Sequence, residues 1–147
     1  MKFLIIFMPI IIGFLIGFFT KPDKWYEKLK KPELMPKGYV FSIAWSILYL
    51  LIGISYYLAL KDKAFVYCII HIIHLLINFS YTPIIFKYHK LLESAIVVLL
   101  TLITLIIVMI LFYNYKKYIS IVLLIPYLLW LLFANYLGWS VYTLNKN

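Results

Sequence analysis

The chain has 147 residues, of which 66% are apolar and 13% are charged, and its mean hydropathy is +1.01. Soluble domains contain about 45–50% apolar and about 25% charged residues. A small domain leaves too much of its surface exposed to hide such an excess of apolar side chains. The composition therefore excludes a soluble globular protein and a disordered chain, and it predicts an integral membrane protein in contact with a lipid bilayer.

Five apolar stretches follow one another along the chain, and they contain one formal charge, Glu93. Each is close to the roughly 20 residues that a helix needs to cross a bilayer, and none shows the alternating polarity of barrel strands. Because a backbone in lipid must satisfy its own hydrogen bonds, we predict an all-α integral membrane protein, a bundle of five transmembrane helices in one domain over residues 1–147. The predicted helices cover residues 3–20, 39–60, 64–86, 91–113 and 118–142.

The first stretch follows Lys2, as a signal peptide would. It is longer than the apolar part of a signal peptide, and no small-residue cleavage site follows it, so we interpret it as the first helix. Gly13 and Gly17 form a GxxxG pair within it. Such pairs are typical of helix contacts in membranes, so the pair predicts a packing surface and is one candidate for a dimer contact.

The lysines are divided unequally between the two sides of the predicted bundle. Five crossings place nine lysines on the side of the 21–37 loop and the C-terminus and five on the other side. Because lysine-rich loops stay in the cytoplasm, the 21–37 loop and the C-terminus are predicted to be cytoplasmic. The lysines are spread over several loops and form no single patch, so we expect the net charge of +9 to face anionic lipid, with no nucleic acid as partner.

The predicted spans lack the groups that several classes of protein require. They contain no Asp, Lys or Arg, whereas ion-coupled transporters keep ionisable residues in the membrane. Paired carboxylates, a nucleophile with a base, and Cys/His metal spacing are also missing, and Cys68 is the single cysteine. We expect no metal site and no required cofactor. The aromatic, hydroxyl, amide and imidazole groups of the spans instead favour a large, flat, mostly apolar ligand.

Three stretches carry a polar and aromatic stripe at helical spacing, ~100° per residue. Three such faces predict a bundle that turns them inward around a pocket. Small and polar residues are also the ordinary contacts between membrane helices, and this interpretation is an equal alternative for Ser42, Ser46, Gly53 and Gly138. The stripes consist of Ser42, Trp45, Ser46, Tyr49, Gly53 and Tyr56; of Tyr67, His71, His74, Asn78 and Tyr81; and of Tyr127, Trp130, Ala134 and Gly138.

His71 and His74 lie three residues apart, so one helix face presents both imidazoles. An intramembrane ionisable residue is a functional hypothesis by default, and either histidine could bind haem iron. A second axial histidine on a facing helix is missing, because His89 falls in a loop. Neutral hydrogen bonding between helices is therefore the favoured interpretation.

Short motifs occur in order along nearly the whole chain. The loop after the first stretch contains Lys21-Pro22-Asp23-Lys24-Trp25-Tyr26, followed by Leu29 and Lys31-Pro32. P-x-x-x-V-F-x-x-x-W-x-x-L-Y runs from Pro36 to Tyr49, and N-x-x-Y-x-P-x-x-F runs from Asn78 to Phe86. P-Y-x-x-W-x-x-F-A runs from Pro126 to Ala134, with Leu144-Asn145 after it. Together these motifs resemble the translocator protein family (TspO/MBR, the peripheral-type benzodiazepine receptors), in its bacterial form.

The resemblance implies a five-helix bundle whose pocket opens toward the loop between the first two helices. Members are commonly homodimers that bind porphyrins and certain synthetic ligands, and animal members bind cholesterol. For this chain it implies a bacterial plasma-membrane protein whose 21–37 loop forms a lid from Trp25, Leu29, Pro32 and Pro36. The resemblance and the stripes together give the predicted ligand-binding residues Trp45, Tyr49, His74, Asn78, Tyr81, Tyr127, Trp130 and Ala134.

Several positions depart from the family pattern. Leu34 and Lys37 stand in the loop where a Trp and a second Pro are frequent, Tyr81 replaces a frequent Trp, and Val97 and Gly138 replace a frequent Asp and Asn. These departures leave the ligand preference open.

The favoured hypothesis is a receptor or translocator that stacks a porphyrin (protoporphyrin IX or haem) on Trp45, Tyr49 and Trp130. One alternative is a light- and oxygen-dependent porphyrin-degrading enzyme in which Trp45 and Trp130 carry the chemistry. The other is a passive tetrapyrrole or sterol transporter.

Overall fold

A computed structural model describes residues 3–60 and 65–146, apart from the side chains of residues 65–68. The predictions for Lys2, Lys61 and Lys63 and for the side chains of Tyr67 and Cys68 lie outside the described residues. Helices are the only regular secondary structure in the described residues, which confirms the all-α prediction. Its helices are α1 (Leu4–Phe19), α2 (Lys24–Glu27), α3 (Gly38–Leu60), α4 (Phe65–Thr82), α5 (Leu91–Asn114) and α6 (Tyr118–Asn145), and a π-helical turn (Pro83–Lys87) continues α4.

Four of these helices have the length and hydropathy of a membrane span: α3, α5, α6, and α4 with its π-helical turn. The protein is therefore a multi-pass integral membrane protein. The helix α1 is apolar but has only 16 residues, fewer than the roughly 20 that cross a bilayer without tilt or thinning. Length and hydropathy thus identify four of the five predicted spans, with α1 as a shorter apolar helix beside them.

The helix α1 packs along α3, and its backbone comes close to that of α3 at Gly53. A Cβ atom at Gly53 would overlap the Ile6 carbonyl oxygen and lie 2.7 Å from its carbonyl carbon, so only glycine fits there. Gly13 lies against the ring of Tyr49, whereas Gly17 has nothing within 4 Å of its Cβ position. One glycine of the predicted GxxxG pair therefore packs within the chain, and the other faces outward.

The π-helical turn begins at Pro83, which has no backbone N–H to continue the α-helical bonds of α4. The backbone N–H of Tyr88 donates instead to the Pro83 carbonyl, five residues back, at 3.1 Å. The chain then reverses through His89, whose φ of 55° is left-handed. This geometry carries Phe86 and His89 toward the 21–37 loop.

The core lies where α3, α4, α5 and α6 meet. Most of the large apolar side chains exposed on the outer surface are Leu or Ile, as contact with lipid requires. Ser55 and Ser120 join α3 to α6 inside the core, since each hydroxyl donates to the other residue's carbonyl at 2.8 and 2.9 Å. Large fully buried side chains at the centre are Ile52, Tyr56, Leu105, Phe112, Leu124, Tyr127 and Leu131.

Candidate functional site

A chain of hydrogen bonds joins α3, α4, α5 and α6 inside the bundle. The Tyr49 hydroxyl donates to Asn78 Oδ1 at 2.9 Å, and Asn78 Nδ2 donates to the Tyr127 hydroxyl at 2.8 Å. The Tyr127 hydroxyl lies 3.1 Å from His74 Nε2, and His74 Nδ1 lies 2.8 Å from Thr104 Oγ1. Asn78, Tyr127 and His74 are buried. The structure thus brings four of the predicted site residues together, and it adds Thr104.

Aromatic rings lie beside this polar chain. The ring of Trp45 is tilted against Tyr49, with centroids 5.1 Å apart, and it meets Tyr127 edge-on at 6.0 Å. Phe79 closes the cluster against Tyr49 at 5.5 Å. Apolar ring faces with a single polar strip behind them suit the binding of a flat, mostly apolar molecule.

Trp130 lies apart from this ring cluster. Its ring contacts Phe41 edge-on at 5.7 Å and Phe133 at 5.8 Å, at the seam between α3 and α6. Its indole N–H is buried without a hydrogen-bond partner in the part of the chain that the structure describes. Trp130 lines an open apolar groove of about 410 Å³, together with Ala44, Ile47, Leu48, Pro126, Leu129 and Phe133.

Two further predicted residues lie at the edge of the core. Tyr81, in the last turn of α4, and Ala134, one turn beyond Trp130 on α6, are both half-buried and pack against the buried core. The hydroxyls of Ser42 and Ser46 donate to carbonyls of their own helix.

The two intramembrane histidines differ in their surroundings. Both ring nitrogens of His74 have protein partners. The ring of His71 is buried and stacks on Tyr56, and neither of its nitrogens has a hydrogen-bond partner within the described residues. No group of three His, Cys, Asp or Glu side chains that could hold a metal ion occurs in the described ranges.

One end of the 21–37 loop is fastened to the connection between α4 and α5. Trp25 stacks on His89 with ring centroids 4.2 Å apart, and Asp23 Oδ2 lies 2.9 Å from His89 Nε2. Tyr26 meets Phe86 of the π-helical turn edge-on at 4.9 Å. We call this contact region, formed by Asp23, Trp25 and His89, the loop latch.

The middle of the loop is fastened to the end of α6. The backbone N–H of Lys30 donates to Asn145 Oδ1 at 3.0 Å, and Asn145 Nδ2 donates to the Lys30 carbonyl at 2.8 Å. One amide side chain thus pairs with the backbone as a neighbouring strand would. The remaining predicted lid residues, Leu29, Pro32 and Pro36, are half-buried. The loop is therefore anchored to both the α4–α5 connection and α6.

Asp23 has a second role at the start of α2, where its carboxylate accepts a hydrogen bond from the backbone N–H of Tyr26 at 3.1 Å. This bond and, to a smaller extent, the interaction with His89 hold the pKa of the Asp23 carboxyl below its usual value of 3.8. Burial raises the pKa of the Tyr26 phenol. Because the Asp23 pKa is lowered in the docked loop, the contribution of this group to docking is present above pH 3.8 and is lost as the pH falls through the lowered pKa.

We expect Asp23→Asn to release the loop latch, because the neutral amide is a weaker partner for both contacts. A nitroxide label at Lys28→Cys, in a Cys68→Ser background, reports loop motion by electron paramagnetic resonance. With Asp23 present, label mobility is low at pH 7 and rises only as the pH falls below 3.8, through the lowered pKa of Asp23; in Asp23→Asn it is already high at pH 7. Glu33→Gln removes an exposed carboxylate and serves as the control. A label equally immobile in Asp23→Asn and in the parent at pH 7 would contradict the role of Asp23.

Several residues of these arrangements were not predicted from the sequence. Thr104 and Asn135 are polar residues within otherwise aliphatic spans, and this contrast could have identified them as candidate contact residues. Asn135 Nδ2 joins α6 to α5 by donating to the Val98 carbonyl at 3.1 Å. His89 and Asn145 act on a loop 66 and 115 positions away, and no local pattern indicates such partners.

Comparison with known proteins gives a consistent result. Residues 5–144 match the TspO/MBR family. The chain is 30% identical to Protein CrtK of Rhodobacter capsulatus over 134 residues, which cover 88% of this chain and 83% of that protein. It is 31% identical to Tryptophan-rich protein TspO of Archaeoglobus fulgidus over 144 residues, 91% of this chain and 90% of that protein. It is 26% identical to Translocator protein of Bos taurus over 147 residues, 95% of this chain and 86% of that protein. The resemblance inferred from the motifs is confirmed, and the chain belongs to the TspO/MBR family.

Proposed function

We propose that the protein is a membrane receptor or translocator that binds porphyrins or related flat hydrophobic molecules between its helices. The observation that carries this proposal is the ring cluster of Trp45, Tyr49 and Tyr127 beside the buried polar chain. Stacking on such rings is worth roughly 0.5–1.5 kcal/mol per ring pair beyond the burial of area. The names of relatives that include "Translocator protein" support the same class of function.

The proposed ligand reaches the rings from the side of the 21–37 loop, which acts as a lid. The ring of Trp45 contacts the rings of Tyr49 and Tyr127, so a ligand enters only if these rings separate. The loop latch and the Lys30–Asn145 contact are the attachments that opening must break. Exposed lysines of the loop, such as Lys24 and Lys28, attract the carboxylates of a porphyrin by long-range electrostatics.

We also propose that α1 is the fifth span and that the protein forms a homodimer in a bacterial plasma membrane. The helix α1 lies along α3 and exposes Phe7, Ile11 and Phe14 on its outer face, as a lipid-facing helix does. Gly17, with open space at its Cβ position, is the candidate for close approach by a second copy. The lysine-rich end, with the 21–37 loop and the C-terminus, faces the cytoplasm.

The direct test is titration of purified protein in detergent with protoporphyrin IX, in which the absorbance of the porphyrin reports binding. We expect Trp45→Phe to weaken binding by roughly 3- to 10-fold, because phenylalanine offers a smaller ring face for stacking than the indole of tryptophan. Trp130→Phe has a smaller effect because Trp130 lies at the α3–α6 seam. Trp139→Phe, near the end of α6 and in contact with Tyr142, is the control. Unchanged affinity in the double variant Trp45→Phe, Trp130→Phe would remove these residues from the site.

The same samples, illuminated in air, separate binding from the alternative of porphyrin breakdown. A receptor leaves the total porphyrin unchanged relative to protein-free samples. A loss that depends on Trp45 and Trp130 identifies the enzymatic alternative, and uptake of a labelled tetrapyrrole into proteoliposomes identifies passive transport.

A further inference from the structure

The chain of hydrogen bonds from Tyr49 to Thr104 has two ends of different chemistry. At the α5 end, Thr104 Oγ1 lies 2.9 Å from the Leu100 carbonyl oxygen and 3.0 Å from that of Thr101. A carbonyl oxygen only accepts hydrogen bonds, so it takes the single hydroxyl hydrogen of Thr104. At the α3 end, Tyr49 is the last member, and its hydroxyl hydrogen points inward to Asn78.

Hydrogen positions follow from this asymmetry. Since the Thr104 hydrogen is directed to a backbone carbonyl, Thr104 Oγ1 accepts from His74, and Nδ1 of His74 therefore carries the proton. The other ring nitrogen, Nε2, then has a free lone pair and accepts from the Tyr127 hydroxyl. The oxygen of Tyr127 accepts in turn from the Asn78 amide. With the hydrogens in these positions, each hydrogen bond described from Tyr49 to Thr104 has one donor and one acceptor.

The opposite direction is less favourable. It places the proton of His74 on Nε2, turns the Asn78 amide over, and uses the Thr104 hydroxyl to donate to His74. The backbone carbonyls then lose their bond from Thr104, and the Tyr49 hydroxyl is left with no acceptor among the described contacts. A buried donor without an acceptor is the more costly arrangement.

We propose that Thr104 is a positioning residue of the ligand site, which fixes His74 as its Nδ1–H tautomer and thereby sets the direction of the whole chain. Through this chain Thr104 orients Tyr127, Asn78 and Tyr49, although it lies on α5, away from the rings. The Tyr49 hydroxyl, with its hydrogen engaged, can offer a ligand only an acceptor oxygen. The direction of the hydrogen-bond chain does not depend on the proposed function, whereas the effect on a ligand rests on the proposed function.

The tautomer is measured directly by the imidazole ¹⁵N resonances of protein labelled with [¹⁵N]histidine in detergent. His71→Leu and His89→Gln identify the resonances of the other two histidines, so those of His74 remain. We expect protonated Nδ1 and unprotonated Nε2 in the wild-type protein. A wild-type His74 protonated at Nε2 would overturn the proposal.

Variants at Thr104 then test whether this residue sets the tautomer. Thr104→Val keeps the shape and removes the hydroxyl, so we expect the His74 Nδ1 resonance to shift as its hydrogen bond is lost. Thr104→Ser restores the bond and the wild-type spectrum. Thr101→Val is the matched control, because the Thr101 hydroxyl is buried on the same helix and donates only to the Val97 carbonyl. An unchanged His74 spectrum in Thr104→Val, or an equal change in Thr101→Val, would refute the role of Thr104.

Protoporphyrin IX binding is the second readout. We expect Thr104→Val to weaken binding by roughly 3- to 10-fold, the change that corresponds to one hydrogen bond of ordinary strength, with Thr104→Ser and Thr101→Val close to wild type. If the wild-type protein binds no porphyrin, the proposed function fails, while the ¹⁵N spectra still decide the direction of the chain. If the wild type binds and Thr104→Val binds equally well, the positioning role in ligand binding is refuted.

Discussion

Gly53→Ala is expected to lower the free energy of unfolding by about 1–3 kcal/mol, the usual cost of overpacking a tight interior. The added methyl group would meet the backbone carbonyl of Ile6, which has no rotamer through which to move away. The loss occurs even though alanine is favoured over glycine in a helix by about 1 kcal/mol. Reversible unfolding with sodium dodecyl sulfate in mixed micelles measures the change.

Two further variants make the result specific. Gly53→Ile enlarges the clash and should detach α1 from α3. This increases the exposure to hydrogen exchange or labelling of Ile6 and of Tyr57, whose ring stacks on that of Phe3 beside α1. Gly38→Ala, at the start of α3, is the control, because its Cβ position has nothing within 4 Å; we expect it to be neutral or slightly stabilising. Equal effects of Gly53→Ala and Gly38→Ala would show that helix propensity, and not the α1–α3 crossing, determines the outcome.

The helical architecture was predictable because lipid imposes it. In lipid the backbone forms helices or closed barrels, and the long runs of Leu and Ile lack the alternating polarity of barrel strands. Helical spacing also aligned His74 and Asn78 on one face. The count of spans was harder to predict. The first apolar stretch covers 18 residues, but α1 ends at Phe19 after 16, so hydropathy and length alone do not decide whether it crosses.

The candidate site was only partly predictable, because spacing gives an angle on one helix and not the rotation of the neighbouring helix. Tyr127 and Trp130 lie on one stripe of α6, yet Tyr127 is directed to His74 and Trp130 to Phe41. The partner of His74 on α5 could not be deduced either, since Thr101 and Thr104 lie one turn apart and both resemble ordinary helix hydroxyls. Asn145 holds the loop by pairing with Lys30, 115 positions earlier in the sequence. Spacing within one helix does not indicate so distant a partner.

Asn78→Leu is the second substitution for which we expect a large effect. Asn78 accepts from Tyr49 and donates to Tyr127, so an apolar side chain of similar size leaves the half-buried hydroxyl of Tyr49 and the buried hydroxyl of Tyr127 without that partner. Side-chain hydrogen bonds between membrane helices average about 0.6 kcal/mol and reach about 1.7 kcal/mol. We therefore expect a loss of about 1–3 kcal/mol in the free energy of unfolding, together with weaker porphyrin binding.

A double-mutant cycle distinguishes the broken chain from a general loss of packing. If the cost of Asn78→Leu comes from hydroxyls left without a partner, it becomes smaller when Tyr49→Phe and Tyr127→Phe have already removed those hydroxyls. Asn114→Leu, an identical change at an exposed position at the end of α5, should have little effect. A cost for Asn78→Leu that is the same with and without the tyrosine hydroxyls would mean that the packing of α4 sets the stability of this region. The buried polar chain would then orient the site without contributing to the stability of the fold.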